Sequence, residues 1–111
     1  MTSFGIRADP PLDRVVEVVV AAVQPLRIVL FGSAVRGEAR SGSDLDVMVV
    51  VPDGADRHAV ARTLYLAMAR ERSGVPVEFH VTTPEILARN RDDIGYYHFD
   101  AVRHGRDLYA A

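Results

Sequence analysis

The stretch from Leu30 to Val50, LFGSAVRGEARSGSDLDVMVV, constrains the fold more than any other part of the chain. It begins on the end of one apolar run, LRIVLF, breaks at Gly32-Ser33, and enters a second run, DLDVMVVV, through two aspartates. Short apolar runs bounded by turn residues read as buried strands. Aspartate is among the poorest strand formers, so burial alone predicts valine or isoleucine at positions 44 and 46. Something besides packing selects the acidic pair.

The remaining elements follow from periodicity. LDRVVEVVVAAV sets Val15, Val16, Val19, Val20 and Val23 at helical spacing, with Asp13 and Glu17 on the other side. Its valines also suit a strand, but the spacing and the stop at Pro25 favour a helix. ADRHAVARTLYLAMARER reads as a helix with Val60, Leu64 and Met68 on one face, ended by Gly74. VPVEFHV reads as a third strand, SAVRGEA as a short helix or turn, and TPEILARNRDDIGYYHFDAVRHG as helical pieces broken at Gly95 and Gly105. Residues 1–11 read as a flexible N-terminal arm ending in Pro10-Pro11, and residues 12–111 as a single domain. The order α-β-(α)-β-α-β-α predicts a small α/β sandwich.

Composition removes several classes of function. A chain of 111 residues, 49% hydrophobic and 25% charged, suits one domain around one core. A net charge of -2 provides no whole-protein field for nucleic acid, so no direct nucleic-acid binding is expected. With no cysteine, disulfides, thiolate zinc sites and cysteine nucleophiles are excluded. MTSFGIRADPPLDR holds no apolar signal core and no run reaches membrane-spanning length. The expectation is a soluble, cytoplasmic protein without a membrane partner.

In a strand, Asp44 and Asp46 project on one side about 6–7 Å apart, and two carboxylates there repel unless a cation lies between them. Such oxygen ligands suit Mg²⁺ together with substrate phosphates; a solvated acidic pair at a strand entrance would give the same pattern. Gly32 permits a tight turn and close approach of a phosphate. Ser33 can donate its hydroxyl to that phosphate or cap a helix, and the two roles share one geometry. Arg36 and Arg40 stand near the same turn as candidates for phosphate pairing or for simple solvation.

Taken together, GSAVRGEARSGSDLD, from Gly32 to Asp46, resembles the signature of the nucleotidyltransferase superfamily that includes DNA polymerase beta. The Arg-Gly after the turn, the Ser-Asp-x-Asp and the ending AVRHGRDLY look like the minimal nucleotidyltransferase (MNT) branch, single-domain proteins often paired with a helical HEPN protein. The resemblance implies an α/β fold with a small mixed sheet of three or more strands packed by helices. It also implies a third carboxylate on the next strand, where Glu78 stands; the branch more often has aspartate there. His80 shares the face of Glu78 by alternation and receives no role, nor do Tyr96 and Tyr97.

The implied chemistry is Mg²⁺-dependent transfer of a nucleoside monophosphate, AMP from ATP, to a hydroxyl. Asp44, Asp46 and Glu78 would be the catalytic, metal-binding carboxylates, and Gly32, Ser33, Arg36 and Arg40 would hold the nucleoside triphosphate. A chain of this length leaves no room for an acceptor domain, so the acceptor is expected from a partner in a hetero- or homo-oligomer. In the resembling branch it is a tyrosine of a HEPN toxin, which makes the chain an antitoxin. Two alternatives stay open: a non-catalytic module that neutralises its partner sterically, and transfer to a small molecule of the antibiotic type.

Overall fold

Helix α1 (Asp9–Val23) takes in the last three residues of the expected arm, with Pro10 and Pro11 in its first turn. Proline is tolerated there because the first N–H groups of a helix have no intrahelical partner. The computed structural model describes residues 9–32, 35, 44–71, 76–93 and 97–111. Leu12, Val15 and Val19 of α1 are buried, as their spacing requires. The helix stops where Gln24 turns to φ 49° and donates its N–H to the Val20 carbonyl, just before the buried Pro25.

Strands β1 (Arg27–Phe31) and β2 (Leu45–Val50) form on the two apolar runs. Helix α2 (Arg57–Glu71) is capped by Asp56, whose Oδ1 accepts from the Ala59 N–H at 3.1 Å, and Leu64 on its inner face is completely buried. It is the crossover that lets β3 (Val77–Thr82) run parallel to β2. Thr83 then caps the short α3 (Pro84–Arg89), accepting the Ile86 N–H on its hydroxyl.

Helix α4 (Tyr97–His104) leads through Gly105 into β4 (Arg106–Ala110), a strand the sequence does not announce. The expected break at Gly105 is there, and it is steric. A Cβ at this position would collide with the Ala101 carbonyl oxygen and the Val29 side chain. The short helix or turn expected over SAVRGEA, the stop at Gly74 and the break at Gly95 fall on stretches outside the described residues, apart from a turn closed by the Val35 N–H on the Gly32 carbonyl at 3.2 Å.

The described strands form a four-stranded mixed sheet in the order β3-β2-β1-β4, with β1 antiparallel to both neighbours. Alternation divides it into two faces. Ile28, Leu30, Val47, Val49, Phe79 and Val81 join Leu12, Val15, Val19 and Leu64 in the larger core under α1 and α2. Val29, Phe31, Met48 and Val50 form a smaller one with Ala101 of α4, and Leu87 of α3 packs against it. Among the described residues, no helix is long and apolar enough to cross a membrane.

Candidate active site

The smaller core runs out at one end of its own sheet face. Along β2, Val50 and Met48 are buried, but the next residue on that side is Asp46. Asp46 is flanked in register by Phe31 of β1 and Glu78 of β3. In a parallel pair, residues in register point to the same side, so both carboxylates emerge together. His80, two residues after Glu78, joins them. Among the described residues, Asp46, Glu78 and His80 form a group whose potential ligand atoms all lie within 4.8 Å of one another. Glu78 is exposed, while Asp46 and His80 are half-buried.

The imidazole is held from two sides. Its Nε2 lies 3.3 Å from Asp46 Oδ1, and its ring meets the Phe31 ring edge-on at a centroid distance of 5.0 Å. Behind Asp46 lies Gly32, at φ +82°. A Cβ there would sit 2.5 Å from Asp46 Oδ2, closer than non-bonded atoms allow. The glycine is needed for its left-handed backbone and for the room it leaves the carboxylate, a second reason beyond the phosphate approach inferred from sequence.

Strand β2 begins at Leu45, so Asp44 lies one residue before it and is exposed. The sequence pairs Asp44 with Asp46 by assuming that both lie in the strand. The structure brings Asp46 together with Glu78 and adds His80, whose place is visible in alternation but carries no signal of a role. Ser33, Arg36, Arg40 and Tyr96 lie outside the described residues.

Two carboxylates and an imidazole converging at the rim of a sheet fit a divalent cation. The paired negative charges gain from one, and each group offers a lone pair. An ion held there would in turn face whatever lies against the Gly32 turn.

A family profile described as "Nucleotidyltransferase domain" matches residues 12–104. No curated protein sequence matches the chain. Among solved structures, the fold is similar to a chain in a crystal structure of a toxin–antitoxin with AMP-PNP, at 21% identity and TM-score 0.58 over 90% of this chain and 73% of that one. It is also similar to a crystal structure provisionally assigned as a nucleotidyltransferase (24% identity, TM-score 0.58, 89% and 98% of the two chains). A third likeness is to a chain in a structure of a tri-AMPylated Shewanella oneidensis HEPN toxin in complex with MNT antitoxin, at 16% identity and TM-score 0.53 over 93% and 72%. At these identities the likeness is one of fold.

Proposed function

The chain belongs to the nucleotidyltransferase domain family, and we propose that it transfers AMP from ATP to a hydroxyl of a partner protein, a tyrosine of a HEPN-type toxin. The observation that carries this reading is the in-register pair Asp46 and Glu78 beside the Gly32 turn. The AMP-PNP complex and the AMPylated HEPN toxin among the structures of similar fold support the choice of nucleotide and acceptor.

The acceptor oxygen attacks the α-phosphorus, a new P–O bond forms, and the bond to the leaving pyrophosphate breaks. The hydroxyl proton passes to a carboxylate, and Glu78, exposed at the rim, is placed to take it. Asp46, narrowly bounded by Gly32 and His80, keeps its carboxylate in one place at the site. Asp46 and Glu78 would hold a divalent cation there, which would supply charge neutralisation and a fixed position for the triphosphate. Asp44, just upstream of β2, completes the proposed carboxylate set, and the Gly32-Ser33 turn with Arg36 and Arg40 receives the phosphates.

The test uses the chain purified together with a HEPN-type toxin as candidate partner and incubated with labelled ATP. We expect label on a tyrosine of the partner and none with Asp46→Asn. A stable inhibitory complex that never acquires label would overturn transfer and favour steric neutralisation.

A further inference from the structure

We propose that His80 is a nitrogen ligand of the cation site, so that the site selects Mn²⁺ or a similar first-row transition ion over Mg²⁺. The inference rests on Asp46 and Glu78 being the cation-binding carboxylates proposed above, and it concerns which ion they take.

Three observations carry it. The first is spacing. Asp46 Oδ1 and His80 Nε2 lie 3.3 Å apart. A charge-assisted N–H···O⁻ bond closes to about 2.7–2.9 Å. Adjacent ligands on one ion, with bonds of about 2.1 Å, stand about 3 Å apart. The observed gap lies a few tenths of an ångström beyond either, so a small closure would let both atoms bind one ion. The second is convergence: Glu78 adds a third donor, and all three fall within 4.8 Å of one another, so a closure of about half an ångström brings them inside the ~4.2 Å that one ion with such bonds can span. The third is support. Phe31 packs edge-on against the imidazole at 5.0 Å and 62°, and Met48, the register neighbour of His80, is completely buried. The ring is therefore placed by packing, as a ligand must be if its orientation is to survive exchange of the ion.

The chemistry then decides between cations. Mg²⁺ takes oxygen and keeps its waters, and it gains little from a nitrogen donor. Imidazole raises the affinity for first-row transition ions. A site of carboxylates alone treats Mg²⁺ and Mn²⁺ much alike, whereas one that includes His80 separates them.

The experiment is Mn²⁺ binding to the full chain without nucleotide, followed by calorimetry and by pulsed EPR, which reports nitrogen bound directly to Mn²⁺. We expect a nitrogen coupling in the wild type. In His80→Ala and His80→Gln we expect its disappearance, with Mn²⁺ affinity about tenfold or more weaker and Mg²⁺ affinity nearly unchanged. His80→Gln keeps a side chain able to hydrogen-bond Asp46. If it restores Mn²⁺ affinity, His80 only positions the carboxylate and the inference is overturned. Mn²⁺ that binds without nitrogen coupling, or no Mn²⁺ binding at all, overturns it too. AMP transfer supported by Mg²⁺ alongside such a result would leave the functional proposal standing. Nitrogen coupling in a chain that transfers nothing would do the reverse.

Discussion

Strands β2 and β3 carry two sets of side chains separated only by the parity of their numbers. The odd set is apolar from end to end: Val47, Val49, Phe79 and Val81 are buried under α1 and α2, and half-buried Leu45 and Val77 pack against them. The even set changes character along its length. Met48, Val50 and Thr82 are buried, while Asp46, Glu78 and His80 reach the rim. Backbone, twist and register are shared, so the difference comes from the side chains alone. One face supplies the cohesion of the fold. The other gives up apolar area at one end to hold charge in fixed positions, and it can do so because the first does not.

Breaking each face separately tests that division. Asp46→Asn keeps the shape and removes the charge. The loss of several kcal/mol of transition-state stabilisation amounts to a fall of about 10³-fold in transfer. The melting temperature should hold level or rise, since repulsion with Glu78 is relieved; a variant that still transfers at the wild-type rate would remove Asp46 from the mechanism. Leu64→Ala does the opposite. Emptying a fully buried leucine site costs about 3 kcal/mol, or ~10 °C or more in a domain of this size. Transfer per folded molecule should not change. A selective loss of activity far below the melt would show that the two faces are not separable.

Gly32→Ala falls between these cases, because it strains the backbone and presses on Asp46 together. The added methyl meets Asp46 Oδ2 at a φ of +82°, at a cost of about 1–2 kcal/mol for the left-handed conformation. A carboxylate displaced by about an ångström can lose ~10²-fold in rate. Melting and transfer should therefore fall together in this variant, and an effect on one alone would locate the glycine's role on that side.

The odd face was legible before the structure because valine spacing and strand alternation are local signals. The acidic site was legible in its types and only partly in its grouping. Asp46 and Glu78 are neighbours through the β2–β3 register, a long-range fact that no spacing within one strand encodes. Asp44 lies one residue before β2, so strand alternation alone does not fix its side. His80 could be assigned to the right face by counting in twos, but one histidine in an apolar strand carries no sign of what it will meet. β4 escaped for a related reason. Asp107 is a poor strand former; what makes this segment a strand is the open edge of β1, where Arg27 also pairs with Asp107 at 2.9 Å.

The smallest effect is expected from two short ion pairs on the surface. On the outside of the odd-face cover, Arg14 of α1 lies 2.6 Å from Glu71 of α2 and 2.7 Å from Glu17. By distance these pairs are tighter than the 3.3 Å His80–Asp46 contact of the site, yet Arg14 and Glu17 are exposed, and exposed pairs lose most of their attraction to solvent and to the entropy of fixing long side chains. The hydrogen bond to Glu71, and then that to Glu17, raises the Arg14 pKa above its ordinary value. A raised value in the folded state contributes stability that is fully present below the unfolded value and lost only as pH rises through the folded one. For arginine that window lies deep in alkali, so these pairs give no pH dependence near neutrality, and salt is the better probe. Arg14→Gln should leave both transfer and the melting temperature nearly unchanged at moderate salt. A drop comparable to that of Leu64→Ala would mean that charge on the cover, and not only its apolar inner side, holds the odd face in place.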